Sequence, residues 1–191
     1  MDGPRAVRAP RSPRGAVLSL AGRLLVATPA LFDPHFFRTV ILIVEDDAEG
    51  TMGVILNRST GLTASDDLPF IEHVAEPATV FSGGPVQPEH GLALAAGDGP
   101  FSIEAELSDG AVGIVAPDTE SIDRIRYFAG YAGWVPGQLQ AELDEEAWWV
   151  IDASMADLFT VAPDQLWRAV LRRQPGRLSM LASYPDDPSL N

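Results

Sequence analysis

Two glycine-rich turns are the stretches of this sequence whose residue types suit ligand binding. Gly83 and Gly84 begin the first turn, where consecutive backbone amides can form a concave nest for an anion. Gly137 and Gln138 open a short helix in the second turn, and unpaired amides at a helix start favour negative charge. Trp134 supplies a flat apolar wall nearby. If the two turns face each other, they form one anion-binding cleft.

Two further polar residues, Arg38 and Asn57, are expected to line that cleft. Each feature also has a structural interpretation. The glycines suit a tight turn, Trp134 suits the core, Gln138 suits a helix cap, and Arg38 can form an ion pair with Asp33. The ligand-binding set is therefore a hypothesis with these members: Arg38, Asn57, Gly83, Gly84, Trp134, Gly137 and Gln138.

The residue inventory excludes several kinds of chemistry. Cysteine is absent, which removes disulfides, thiolate nucleophiles and cysteine-based zinc sites. All 13 basic residues are arginines, which excludes a Schiff-base lysine and a Walker-type phosphate loop. The pairs Glu72-His73 and Glu89-His90 are sequence neighbours whose side chains point apart, so they lack the spacing of a metal site. We expect no metal and no cofactor.

One catalytic alternative stays open. A hydrolase of unrecognised type would use His35 or His90 together with a carboxylate, and it requires the two groups within hydrogen-bond reach in a cleft. No G-x-S-x-G nucleophile elbow occurs in the chain. The sequence therefore favours a protein without catalytic activity.

The charge distribution limits the possible partners. The formal net charge is −14, and residues 1–14 contribute +3 from four arginines and one aspartate, so the remainder carries −17. A body this acidic repels a phosphate backbone, which disfavours direct binding of nucleic acid. The longest apolar run, residues 40–44, is too short to span a membrane, and no cleavage site follows the apolar residues 16–21. We expect a cytoplasmic protein.

The pattern of apolar residues predicts one mixed α+β domain over residues 16–183, between an arginine- and proline-rich disordered leader, 1–15, and a tail, 184–191. Residues 39–44 and 51–56 are predicted as an antiparallel hairpin turning at Gly50. Asp118 is a suitable N-cap for a helix that carries Ile122, Ile125 and Phe128. The other predicted strands are 24–27, 79–81, 92–95, 101–107, 111–115 and 147–151, and the other predicted helices are 66–74, 136–143 and 163–173.

The chain resembles the YqgE/AlgH family of bacterial proteins from about residue 20 to residue 173. The residues that carry the resemblance are Pro29, Asp33, Pro34, Phe37, Arg38, Gly50, Gly53, Asn57, Gly83, Gly84, Pro85, Val86, Gly130, Gly133, Trp134, Gly137, Gln138 and Leu139. The resemblance implies a single α+β domain on a coiled, branching, mostly antiparallel sheet with short helices packed on it. It also implies a family without established enzymatic activity, one branch of which carries a genetic label as a regulator of alginate biosynthesis.

These observations together predict a binding or regulatory module whose partner is a small anionic ligand or another protein. A transcriptional regulator that acts through a protein partner is a further alternative.

Overall fold

The computed structural model describes residues 19–97, 100–116, 119 and 121–184. Its strands are β1 Arg23–Ala27, β2 Val40–Asp46, β3 Thr51–Ile55, β4 Ser59–Thr63, β5 Thr79–Ser82, β6 Val86–Ala96, β7 Phe101–Leu107, β8 Gly110–Val115, β9 Arg124–Trp134 and β10 Trp148–Asp152. Its helices are α1 Gln138–Asp144, α2 Met155–Leu158, α3 Leu166–Arg172 and α4 Arg177–Leu181, with 3-10 helices at Ile71–His73 and Pro163–Gln165.

The strands form one sheet in the order β10-β1-β2-β3-β9-β6-β8-β7. The sheet branches at β5, which pairs in parallel with β9 and antiparallel with β4. The other pairs of named strands are antiparallel. The predicted α+β fold, with a mixed and mostly antiparallel coiled sheet and several short helices, is confirmed.

Strands β2 and β3 form the hairpin that the sequence predicts. Ile41 pairs with Ile55 and Asp46 with Thr51, and Gly50 before β3 has a φ of 146°. Residues 40–44 are buried, because alternate side chains enter hydrophobic clusters on the two faces of the sheet. Leu42 packs on the face covered by α3, and Ile41 packs on the face that holds Trp134 of β9 and Trp148 of β10. A strand covered on both sides reads as a continuous apolar run.

The predicted helix carrying Ile122, Ile125 and Phe128 is wrong, because residues 124–134 form strand β9. Its proposed cap, Asp118, lies outside the described residues. Ile125 and Tyr127 enter one hydrophobic cluster and Phe128 enters another, so the apolar side chains follow the two-residue period of a strand. The three-residue spacing of Ile122, Ile125 and Phe128 imitated a helical face.

Several other predicted helices and strands have different bounds in the structure. The helix predicted over 66–74 is reduced to the single 3-10 turn at 71–73, and the strand predicted over 92–95 extends backwards to Val86. The helix predicted over 163–173 begins with a 3-10 turn and continues as α3. Its predicted buried face, Leu166, Trp167, Val170 and Leu171, is confirmed.

The buried side chain of Arg126 links β9 to the segment that precedes α3. Arg126 is 1% exposed, and its Nη1 and Nη2 atoms donate to the carbonyl oxygens of Leu158, Glu76 and Thr160 at 2.7, 2.8 and 3.1 Å. Its guanidinium carbon lies 4.5 Å from the centre of the Phe81 ring. Burial, together with the nearby charge of Arg124, lowers the pKa of Arg126 to about 10. This arginine serves the core and adds no charge to the surface.

None of the helices within the described ranges has the length and apolar character needed to cross a bilayer. The leader predicted for residues 1–15 lies outside the described residues, and so does the predicted tail apart from Tyr184.

Strand β9 is crossed at very short range by the chain that leaves β5. A Cβ atom built on Gly83 would lie 2.2 Å from the carbonyl oxygen of Gly130. A Cβ atom built on Gly84 would lie 2.2 Å from the carbonyl carbon of Tyr131. Only residues without a side chain allow two backbones to approach this closely.

We expect the substitution Gly83→Ala to lower the free energy of unfolding by about 3 kcal/mol, because the added methyl group forces two paired backbones apart. Gly91→Ala is the matched control, since neither glycine has a left-handed φ and the nearest atom to a Cβ at Gly91 is 4.0 Å away. Urea denaturation should show a change within about 0.5 kcal/mol for the control. Equal effects of the two substitutions would contradict the assignment.

Candidate functional site

The Gly83-Gly84 turn uses its backbone groups inside the sheet. The Gly83 amide donates to the Ala129 carbonyl oxygen at 2.8 Å, and the Gly83 carbonyl oxygen accepts from the Ile55 amide at 2.8 Å. Both glycines are buried. The first predicted element of the cleft therefore joins β3 to β9, and its glycines permit that close junction.

The start of α1 is also hydrogen-bonded within its own turn. The Gln138 amide donates to the Val135 carbonyl oxygen at 3.0 Å, and the Gln138 Oε1 atom accepts from the Val135 amide at 3.2 Å. The Gln138 Nε2 atom donates to Glu142 Oε1 at 3.0 Å. Gly137, with a φ of 81°, supplies the left-handed position before the helix. These contacts hold the Gln138 side chain within its own turn, although it caps none of the helix amides.

Trp134 belongs to an aromatic cluster that closes around Glu142. The indole Nε1 atoms of Trp134 and Trp148 donate to the same Glu142 Oε2 atom at 2.9 and 2.8 Å. The Phe36 ring stacks on Trp134 at 6.3 Å between ring centres and meets Trp148 edge-on at 5.6 Å. Trp134 is 5% exposed, so it has the core position that was the alternative to a ligand-facing wall.

Asn57 fastens the turn that carries Arg38. Its Oδ1 atom accepts from the Val40 amide at 2.9 Å, and its Nδ2 atom donates to the Arg38 carbonyl oxygen at 2.9 Å. Arg38 has a φ of 55°, a left-handed conformation that costs an arginine on the order of 1–3 kcal/mol. The structure thus brings together two of the predicted site residues, and the asparagine maintains the strained backbone of the arginine.

Arg38 and Asn57 line a cavity of about 490 Å³ that contains two more arginines. The full lining is Phe37, Arg38, Asn57, Arg58, Asp164, Gln165, Trp167 and Arg168. We call it the arginine cavity. It forms where the chain entering β2, the chain leaving β3 and the start of α3 meet. Three arginines and one aspartate therefore line one small volume.

Packing and hydrogen bonds position the three guanidiniums. The guanidinium carbon of Arg38 lies 4.6 Å from the centre of the Trp167 ring, and its Nη2 atom donates to the Tyr184 carbonyl oxygen at 2.8 Å. Arg58 Nη2 donates to the Phe37 carbonyl oxygen at 3.0 Å. Arg168 Nη2 lies 3.5 Å from the Tyr184 carbonyl oxygen. Cation–π contact uses the face of a guanidinium, whereas an anion binds at its edge.

Two of the remaining predicted residues line other cavities, which contain several carboxylates. Trp134 lines a cavity of about 530 Å³ together with Glu45, Asp47 and Glu49. Gly137 lines another of about 440 Å³ that contains Asp46 and Asp47. Carboxylates repel an anion. Among the predicted ligand-binding residues, Arg38 and Asn57 therefore lie in the environment that is electrostatically more favourable for an anion. The ligand-binding role of the whole set stays a prediction.

The histidines lie away from these three cavities. His35 and His90 are exposed, and His73 is partly buried. His90 Nδ1 lies 3.3 Å from Glu89 Oε1, and both side chains are about two-thirds exposed. No group of three or more metal-binding side chains occurs among the described residues.

Comparison with known proteins establishes the relationship of this chain. The AlgH-like family model matches residues 24–179, which is most of the chain. This chain belongs to the AlgH-like family.

The relatives of this AlgH-like protein match it over nearly their whole lengths. A UPF0301 protein of Streptomyces avermitilis is 48% identical over 187 residues, covering 92% of this chain and 97% of the relative. A UPF0301 protein of Thermobifida fusca is 45% identical over 191 residues, covering 91% and 96%. These are family names, and they assign no biochemical activity.

Two solved structures share the AlgH-like fold. A crystal structure of a Corynebacterium diphtheriae protein matches with a TM-score of 0.73 and 27% identity, covering 85% of this chain and 91% of that one. The solution structure of the AlgH protein from Pseudomonas aeruginosa matches with a TM-score of 0.66 and 28% identity, covering 92% and 100%.

Sequence reasoning missed two of the three arginines that line the arginine cavity in this AlgH-like protein. Arg58 directly follows the predicted Asn57, so its position in the sequence was an available signal. Arg168 lies on a helix predicted only for its apolar face, and no local pattern relates it to residues 38 and 58. Asp164 and Gln165 also line the cavity, and they too are distant in the sequence from residues 38 and 58.

We expect Asn57→Ala to lower the free energy of unfolding by about 2 kcal/mol, because the partly buried Val40 amide and Arg38 carbonyl group lose their partner. Asn57→Asp keeps the acceptor and should lose less. Gln140→Ala, at an exposed position in α1, is the control and should stay within about 0.5 kcal/mol of the unmodified protein. Chemical denaturation of the four proteins tests this order, and an unaffected Asn57→Ala variant would contradict it.

Proposed function

We propose that this AlgH-like protein is a binding module for a small anion, which it holds in the arginine cavity without catalysing a reaction. The observation that carries the proposal is the convergence of Arg38, Arg58 and Arg168 on one cavity in a chain with a net charge of −14. Arginines form bidentate, charge-assisted hydrogen bonds with carboxylate and phosphate groups. A small anion of either kind fits this arrangement.

The energetic cost of the cavity supports a ligand-binding role. A partly buried positive charge such as that of Arg58 is stabilised by a partner of opposite sign. Within the described part of the chain, no carboxylate lies within ion-pair distance of Arg58. Arg38 adds the cost of its left-handed backbone. Strained residues of this kind are concentrated at functional sites.

The chemistry of the lining residues supports binding over catalysis. A guanidinium keeps its proton throughout the physiological pH range, so it stabilises charge and does not act as a base. Asp164 is the one lining side chain that can accept a proton, and it is exposed. We place this module in the cytoplasm, the location expected from the sequence.

Titration calorimetry with inorganic phosphate at low ionic strength tests the proposal on three proteins. The unmodified chain should bind phosphate, and Arg168→Gln should weaken binding by at least about tenfold, since a hydrogen bond to a charged group contributes roughly 1.5–3 kcal/mol. Arg172→Gln is the matched control, because it removes the same charge one turn later on α3, from an exposed residue outside the cavity. Its affinity should change by less than about threefold.

Two results would overturn the anion-binding proposal. One is an absence of phosphate binding by the unmodified chain at millimolar concentrations. The other is an equal loss of affinity in the two arginine variants, which would assign the effect to net charge alone. Added sodium chloride should weaken the specific binding, because screening reduces attraction between partly exposed charges.

A further inference from the structure

We infer that residues 4–14 bind as a polyproline II helix in an acidic groove on the body of the same molecule. The groove consists of two adjoining cavities, of about 530 and 440 Å³, which share Asp47, Gly50 and Thr51 in their linings. We call it the acidic groove. This surface is different from the arginine cavity, and the inference does not depend on the proposed function.

The segment has a three-residue period in both charge and hydrophobicity. Its arginines are Arg5, Arg8, Arg11 and Arg14, and the residues before them are Pro4, Val7, Pro10 and Pro13. A polyproline II helix has three residues per turn, so in this conformation the arginines would share one face and the prolines and valine another. The sequence of the segment therefore predicts a polyproline II helix with one cationic face and one apolar face.

The acidic groove offers carboxylates to the cationic face. Its lining includes Glu45, Asp46, Asp47 and Glu49, and no arginine of the described chain lines either cavity. Among the described residues, Glu45 and Glu49 have no ion-pair partner. Residues 1–14 carry +3 and the remainder of the chain carries −17. Such opposite charges attract, and arginine forms strong, charge-assisted hydrogen bonds with carboxylates.

The acidic groove also offers apolar surface to the proline face. Met52, Val86, Tyr131 and Val135 line the larger cavity. Val135 is 68% exposed, and the Tyr131 side chain is half-buried. Proline-rich segments bind grooves lined by aromatic and apolar residues, because a preformed polyproline II helix loses little conformational entropy on binding. The groove therefore matches both faces of the predicted helix.

The described chain begins beside this groove. Ser19 and Leu20 line the smaller cavity. The Ser19 Oγ atom donates to the Asp46 carbonyl oxygen at 3.0 Å, and the Leu20 amide donates to Asp46 Oδ2 at 2.7 Å. Arg14 precedes Ser19 by five residues, which span about 16 Å in polyproline II conformation. The segment can therefore reach the groove of its own chain, and so short a connection gives an effective concentration of about millimolar order.

Paramagnetic relaxation enhancement on the full chain tests this inference. The chain has no cysteine, so Ser12→Cys provides a single attachment point for a nitroxide, at a position on neither of the two faces. The nitroxide should broaden the amide signals of Thr51, Gly133 and Val135, which line the groove. The broadening should fall by about threefold or more in about 1 M sodium chloride, because the Debye length is then about 3 Å.

The double variant Glu45→Gln with Glu49→Gln tests the contribution of the carboxylates. It should lower the ratio of bound to free segment by about threefold or more, because two ion pairs at the surface are lost. Asp66→Asn with Asp67→Asn is the matched control, since it removes two charges from exposed residues outside the groove. The control should change the ratio by less than about 1.5-fold, because only screened long-range attraction is reduced.

Moving two arginines by one position tests the three-residue period. The variant combines Arg8→Ala, Ala9→Arg, Arg14→Gly and Gly15→Arg. It keeps the composition and the net charge, but it removes two arginines from the shared face. The ratio of bound to free segment should fall by about threefold or more, since two ion pairs lose their geometry. Broadening as strong as with the unmodified period would overturn the polyproline II assignment.

A mixed sample distinguishes the segment's own chain from a second copy. It contains isotope-labelled chain without the nitroxide and unlabelled chain with it, so it reports binding between molecules. Broadening in this mixture as strong as in the singly prepared sample would overturn the inference and assign the groove to a second copy's segment. Equal effects of the two carboxylate variants, or broadening that is insensitive to salt, would also overturn it. Loss in the groove variant, retention in the control and an unaffected mixture would support it.

Discussion

Close approach of backbone to strand β9 is the constraint on which the rest of this structure depends. Strands β3, β5 and β6 all pair with β9, and such branching brings more backbone to one strand than an ordinary sheet does. Gly83, Gly84 and Gly130 permit it, since a Cβ atom at any of them would lie within 2.7 Å of another backbone atom. Sterics at these glycines therefore determine where β5 ends, where β6 begins and how the sheet curls.

The arginine cavity is a consequence of how α3 packs on that sheet. The Trp167 Nε1 atom donates to the Ala27 carbonyl oxygen at 2.9 Å, which fixes the helix over the end of β1. The same indole lies under Arg38, and Asn57 fixes the backbone of Arg38 from the end of β3. One buried tryptophan and one asparagine thus position the guanidinium and the backbone of Arg38. The residues that line the polar cavity are held in place because they pack on the close-packed core beneath them.

The arginines of this acidic chain have different structural roles. Arg126 is buried against backbone carbonyl groups, and Arg173 forms two hydrogen bonds of 2.6 and 2.7 Å with the buried Asp157. Arg124 covers the Phe159 ring at 4.5 Å. These three arginines stabilise core packing or neutralise a buried carboxylate, whereas Arg38, Arg58 and Arg168 line one cavity. Arginines on one continuous basic face would have favoured nucleic acid, and the burial of Arg126 removes one of them from any such face.

The sequence by itself determined the features that depend on neighbouring residues: the β2–β3 hairpin and the buried face of α3. Periodicity and turn residues express these over a few positions. Tertiary structure alone decided that residues 124–134 form a strand, that Gly83 and Gly84 serve a backbone junction, and that Arg168 joins Arg38 and Arg58. Those outcomes depend on burial and pairing between distant segments, and no local pattern encodes such contacts.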